Sequence, residues 1–171
     1  MARKELYFTA YGIPAPQGSK NVYNGRVVEA SKNLKPWRKT VAEAVFQAWH
    51  QTADESIFTD PVVIKATFLL PKPKTVKRIL PTVPPDLDKL CRALGDALSI
   101  DSPCLENDSL IVGWRSSKVY VTDLSDAGVR VSIKSVNLDG FDGSQTSLEE
   151  LIEKAFENKP FSQLQQFGNI T

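Results

Sequence analysis

Pro84-Pro85-Asp86-Leu87-Asp88-Lys89-Leu90-Cys91-Arg92-Ala93-Leu94-Gly95-Asp96-Ala97-Leu98 is the stretch around which the rest of the chain is read. Leu87, Leu90, Cys91, Leu94 and Leu98 recur at three- and four-residue spacing, which predicts a helix with one apolar stripe. Pro84 and Pro85 hold the approach extended, and Asp86 then falls at the N-cap, outside helical geometry. Within a regular helix, positions two apart point about 200° apart. At an extended-to-helical junction Asp86 and Asp88 can instead face one cleft. Asp88, Arg92 and Asp96, four residues apart, share the side opposite the leucines, and an Asp88–Arg92 pair is expected there.

Working outward toward the N-terminus, residues 71–85 form a proline-rich connection that can be neither helix nor central strand. Lys72, Lys74, Lys77 and Arg78 suit it to phosphate. Pro61 to Leu70 reads as a strand buried on both faces at Phe68-Leu69-Leu70. Before it, Trp37, Val41, Ala44, Val45, Ala48 and Trp49 mark an amphipathic helix, roughly Leu34 to Gln51, with Ser31 as its cap. Its first turns carry Lys32, Lys35, Arg38 and Lys39, although the helix dipole favours acids at that end by about 0.3–1 kcal/mol. Cations there point to an outside anion. Leu6 to Ile13 alternates as a strand stopped by Pro14-Ala-Pro16-Gln-Gly18, and Arg26-Val27-Val28 reads as a short strand after a basic loop from Lys20.

On the C-terminal side, Ile100 to Asn107 reads as a loop, Asp108 to Tyr120 and Val129 to Val136 as strands forming a curved antiparallel pair. Ser147-Leu-Glu-Glu150 is a capping-box pattern that opens a short acidic helix ending before Pro160. The expected fold class is α/β of the α+β type, a small mixed sheet with two main helices packed on it and a short C-terminal helical extension.

The chain has 171 residues, 42% hydrophobic and 24% charged. That length suits a single globular domain, and no apolar run approaches the ~18 residues of a membrane helix. The N-terminus carries no secretory pattern, so a cytoplasmic location is expected. Two cysteines and one histidine rule out a disulfide framework and multi-histidine zinc sites, and leave His50 as the only histidine for nucleophile-activating chemistry. His50 itself reads as helix surface, and Trp37 and Trp49 as core. Chemistry must then rest on carboxylates and cations. The net charge of +1 conceals a gradient, since residues 1–80 hold 13 Lys/Arg against 6 Asp/Glu and residues 121–171 hold 4 against 8. A basic front half of this kind fits a polyanion partner.

Glu106-Asn107-Asp108 offers a third acid near the helix. Three carboxylates held together repel unless a divalent cation neutralises them, and oxygen-only ligation suits Mg²⁺ or Mn²⁺. Such an ion polarises a phosphodiester and activates water, while a neighbouring cation stabilises the transition state. The plainer alternative makes Asp86 an N-cap, Asp88 a dipole partner, Arg92 and Asp96 solvated surface, and Asp108 a loop acid.

The order of these segments resembles the RusA family of Holliday-junction resolvases, with its Pro-rich N-terminal strand, basic helix, strand, D-x-D-N-L-x-K-x-x-x-D-A-L motif and D-D-x-x-(V/I) segment. The central motif stands here as Asp86-Leu87-Asp88-Lys89-Leu90-Cys91-Arg92 followed by Asp96-Ala97-Leu98, and the later one as Asn107-Asp108-Ser109-Leu110-Ile111. The likeness covers roughly residues 6–134. It implies a RusA-like endonuclease domain over 1–136, with 137–171 as a C-terminal extension available to a protein partner through its acidic tail. It also implies a homodimer acting on branched DNA, requiring Mg²⁺ or Mn²⁺ held by Asp86, Asp88 and Asp108. The family asparagine is Lys89, the family lysine is Arg92 and the first paired aspartate is Asn107. Arg92 is thereby restricted to electrostatic stabilisation, which Lys89 shares. Lys20, Lys32, Lys35, Arg38, Lys39, Lys72, Lys74, Lys77 and Arg78 are the expected DNA contacts. A non-catalytic DNA-binding module, and a related nuclease acting on flaps or forks, are the competing functions.

Overall fold

Leu6, Phe8 and Ala10 alternate with half-exposed neighbours along β1 (Glu5–Tyr11), and that period-two pattern places one side of the strand in the core. The computed structural model describes residues 4–18, 20–23, 26–29, 32–143 and 147–157, the two segments 20–23 and 26–29 by their backbone. Those two are β2 (Lys20–Tyr23) and β3 (Arg26–Glu29), an antiparallel pair running from Lys20 opposite Glu29 to Tyr23 opposite Arg26. The expected loop from Lys20 is therefore the first arm of a hairpin. The sequence between the arms, Asn24-Gly25, is the two-residue signal that marks it.

Helix α1 (Leu34–Thr52) buries Trp37, Val41, Val45, Ala48 and Trp49, as their spacing predicts. Asn33 occupies its N-cap without a side-chain hydrogen bond, and Ser31 lies outside the described residues. β4 (Val62–Pro71) follows, then α2 (Leu87–Asp96), which continues into a π-helical turn at Ala97–Asp101 where a loop from Ile100 is expected. Ser102 closes that turn by donating from both its amide and its hydroxyl to the Ala97 carbonyl, each at 2.9 Å. A single 3₁₀ turn (Asp108–Leu110) then leads into β5 (Ile111–Val121), and β6 (Gly128–Ser135) and α3 (Leu148–Phe156) complete the order. Ser147 and Glu150 form the expected capping box of α3.

The main sheet has the order β1-β6-β4-β5. β4 and β5 are parallel, and α2 lies in the crossover that a parallel pair demands. β6 is antiparallel to both β1 and β4 and lies between them. This overturns the expected antiparallel pairing of β5 with β6. The six residues between those strands suggest a hairpin, but β6 is buried on both faces at Val129, Val131, Ile133, Ser132 and Lys134, and it requires a strand on each side. β5 is left as an edge strand, half-exposed along its length. Close packing in the centre also constrains Gly128, where a Cβ would stand 2.0 Å from the carbonyl oxygen of Ala10.

Leu6, Phe8, Ile64, Ala66, Phe68, Val129, Val131 and Ile133 form one face of the sheet, against which α1 and α2 pack to make the main core. The opposite face carries a second, smaller cluster of Val63, Val136 and Phe156, flanked by Leu151, Ile152 and Ala155 of α3. The mixed sheet, two main helices and short C-terminal helix are those expected. Among the described residues no helix is long and apolar enough to cross a membrane.

Candidate active site

Asp86 takes an extended backbone (φ −70°, ψ 141°) and its carbonyl accepts from the Leu90 amide at 3.1 Å, so it is the N-cap residue of α2. Its carboxylate, however, makes no capping hydrogen bond. It is bound by the Lys89 ammonium at 3.0 Å, one turn ahead. That hydrogen bond, reinforced by the charges of Asp86 and then Asp88, holds the Lys89 pKa above its ordinary value. The approach is clamped from the neighbouring strand, because Lys118 of β5 donates from Nζ to the carbonyls of Val83 (2.9 Å) and Pro85 (2.8 Å).

Between the polar side of α2 and the edge strand β5 lies an open cleft of about 780 Å³. Asp88, Arg92 and Asp96 of α2 line it together with Asp108 at the entry to β5. Ile111 and Trp114 form its apolar wall, and a Cβ at Gly95 would come into van der Waals contact with both, at 3.7 Å from Ile111 and 3.9 Å from Trp114. Cys91 donates to the Ser116 hydroxyl at 3.2 Å on the same wall, and burial pushes its thiol pKa up, so the sulfur stays protonated near neutral pH.

The expected Asp88–Arg92 pair does not form. Asp96 instead takes a hydrogen bond from Gln17 Nε2 at 2.5 Å and faces Arg38 Nη1 at 3.6 Å, while Arg38 Nε reaches Asp101 at 2.5 Å. The Gln17 amide also donates to the Lys89 carbonyl at 3.0 Å. One clasp thus fastens the Pro14–Gly18 turn, α1, α2 and the π-helical turn together, and it pins Asp96 where it enters the cleft. Arg38, placed by its sequence among the phosphate contacts, is three-quarters or more enclosed and has both available charges already opposite it.

The structure brings Asp88, Asp108 and Arg92 to one cleft and turns Asp86 aside toward Lys89. Among the described residues, no three carboxylate, thiol or imidazole groups close into a metal-ligand cluster. Asn107 has a visible role of its own. Its side-chain oxygen accepts from the Ser109 amide at 3.0 Å and caps the 3₁₀ turn that carries Asp108. An asparagine accepts that bond as well as an aspartate would, so the departure from the family's paired acids leaves the placement of Asp108 intact.

Of the expected DNA contacts, Lys32, Lys35 and Lys39 are exposed at the start of α1, and Lys74, Lys77 and Arg78 on the loop before α2. Lys72 is half-buried with its ammonium 5.9 Å from the Tyr120 ring, and the Lys20 side chain lies outside the described residues. Sequence reasoning did not single out Lys118, Ser116 or Trp114. Their signal was the alternation of β5, in which Trp114, Ser116 and Lys118 stand opposite Ile64, Ala66 and Phe68, the core side of β4.

The fold and site together are a mixed sheet with an acidic cleft between its crossover helix and its edge strand, and cations on the loop leading in. The family model described as endodeoxyribonuclease RusA matches residues 12–134, and the chain belongs to that family. Membership implies a DNA endonuclease of the Holliday-junction-resolving kind. No curated protein matches the chain significantly.

Proposed function

We propose that the chain is a Mg²⁺- or Mn²⁺-dependent endonuclease that resolves four-way junctions or related branched DNA by phosphodiester hydrolysis, as a homodimer, in recombination, repair or phage DNA processing. The observation that carries this reading is the convergence of Asp88, Asp108 and Arg92 on one open cleft. The donor set fits the ion: hard oxygen ligands, two of them carboxylates, suit Mg²⁺, which commonly keeps several waters and takes one or two protein carboxylates beside a substrate phosphate. Asp88 and Asp108 would hold it, and Asp86 would complete the set once its contact with Lys89 is broken. The bound ion supplies charge neutralisation at the phosphate and a water of lowered pKa.

The protein's own groups account for the rest. Arg92 lines the cleft, and its guanidinium would take a phosphate oxygen pair there. Lys89 is drawn from Asp86 by an approaching phosphodiester, which uncovers the carboxylate as the substrate arrives. Lys32, Lys35, Lys39, Lys74, Lys77 and Arg78 hold phosphates on either side without reading bases. A two-fold dimer presents two such clefts to two like strands of a junction. A cytoplasmic location on the nucleoid follows from that substrate. In α3 the apolar side is engaged by the sheet, so a protein partner would use the exposed acids Glu149 in its first turn and Glu157 at its C-cap.

Cleavage of a labelled four-way junction beside duplex, flap and single-stranded controls, with Mg²⁺, Mn²⁺ or EDTA, tests the reading. Paired symmetric nicks that need metal and vanish in Asp88→Asn, with junction binding retained, are expected. Tight binding without cleavage under either metal would move the chain to the binding modules and leave Asp86 and Asp88 as helix-terminal acids.

A further inference from the structure

The loop between β4 and α2 has an apolar tip that phosphate binding does not explain. Ile79 is 84% exposed, Leu80 58% and Val83 39%. Single exposed apolar residues are ordinary on any protein surface. Three within five residues, on a loop with Lys72, Lys74, Lys77 and Arg78 and no acid from 71 to 85, form a mixed cationic and apolar surface.

The exposure is built into the loop's conformation. Val76 donates to the Pro73 carbonyl at 3.0 Å and Thr82 to the Leu80 carbonyl at 2.9 Å. Pro81 is buried between the exposed residues, and Lys118 fastens the carbonyls of Val83 and Pro85 to β5. The loop is held at its base and presents Ile79 and Leu80 outward.

We propose that Ile79 and Leu80 are a wedge that enters an opened base step at the branch point of the DNA. The inference deepens the nuclease reading and rests on it for the identity of the polyanion. In stacked duplex the base faces are covered, and an apolar side chain finds a surface only where stacking is interrupted. Ile and Leu are among the side chains that nucleic-acid-binding proteins insert at such steps, and the flanking cations grip the phosphates on both sides. A second copy of this chain is a poor occupant, because two such loops meeting across a two-fold axis would set four cations against four. Asp86 follows Ile79 by seven positions, a reach of at most about 25 Å. At about 3.4 Å per base step, cuts should then fall within about seven nucleotides of the wedged step.

The test is a synthetic four-way junction carrying 2-aminopurine beside the branch, bound in EDTA so that no cleavage occurs. Wild type should raise the 2-aminopurine fluorescence. Ile79→Ser/Leu80→Ser should lose most of that rise and about 10-fold of its preference for junction over duplex, the scale of one lost base contact. Its affinity for plain duplex should stay within about two-fold, since the phosphate contacts remain. Ile79→Phe, which keeps an apolar face, should retain the signal. The wedge is overturned by a double variant with unchanged fluorescence and preference, by one that changes oligomeric state, or by wild type that binds and cuts junctions without disturbing the branch bases. Wild type that neither binds nor cuts junctions with metal present would instead remove the nuclease reading itself.

Discussion

The two faces of the main sheet are covered by helices in different ways. On one side α1 and α2 bury a continuous core from Leu6 to Ile133, but α2 does not close over β5, and the cleft with Asp88, Asp108 and Arg92 occupies the gap. On the other side α3 lies directly on the strands. Phe156 packs on Val63 and Val136, Arg115 stacks on the Phe156 ring at 4.5 Å and pairs with Glu153, and a Cβ at Gly113 would come within 3.1 Å of that ring. One face leaves charged groups in reach of solvent beside a rigid core, while the other consumes its charged and apolar groups in packing. Substitutions should therefore separate, with those on the α2 side reading out in chemistry and those under α3 in stability.

Asp88→Asn should show the largest effect. Cleavage is expected to fall by at least about 10²-fold, the scale on which losing one transition-state-stabilising group acts, with the melting temperature unchanged. A parallel collapse in stability would erase the contrast between the faces. Phe156→Ala should cost about 3 kcal/mol in urea unfolding, as a buried ring does, and leave the cleavage rate within about two-fold. A loss of activity without a loss of stability would show that α3 acts on the cleft.

Arg38→Ala sharpens the comparison, because it lies between the two behaviours. It leaves Asp101 and part of Asp96 uncompensated in a largely enclosed site, and should cost about 1–3 kcal/mol together with a fall in cleavage as Asp96 is left with Gln17 alone to hold it. Were Arg38 mainly a phosphate contact, its loss would instead lower the salt dependence of DNA binding with stability intact. The smallest effect is expected at Tyr7, on the α3 side of β1. Burial, then the hydrogen bond and charge of Glu5, raise its pKa well above the ordinary phenol value. The folded state therefore keeps the phenol proton after the unfolded chain has lost it, and stability falls as pH rises above about 10. Tyr7→Phe should flatten that alkaline slope, which chemical denaturation at pH 9 and above would measure.

Much of the fold was legible because its signals were local. The leucine stripe of α2, the Trp37-to-Trp49 spacing of α1 and the capping box at Ser147 each depend on neighbours within a few residues, and each element stands where its pattern placed it. The site was legible in composition more than in geometry. Asp88, Asp108 and Arg92 line one cleft, yet the Asp88–Arg92 pair is absent, and Asp96 is held instead by Gln17 and Arg38, 79 and 58 residues earlier in the chain. The turn Pro14–Gly18 carries no sequence mark that it fastens onto α2.

What the sequence by itself determined is the set of elements and the chemical character of their polar residues, because helix and strand periodicity and capping are written in short-range side-chain spacing. Only the tertiary structure decided that β6 inserts between β1 and β4, that β5 is the open edge, and that Asp86 turns to Lys89 while Asp88 and Asp108 share the cleft. Those choices are set by which surfaces compete for burial and for counter-charges once the whole chain is folded, a comparison among partners tens of residues apart that no local pattern encodes.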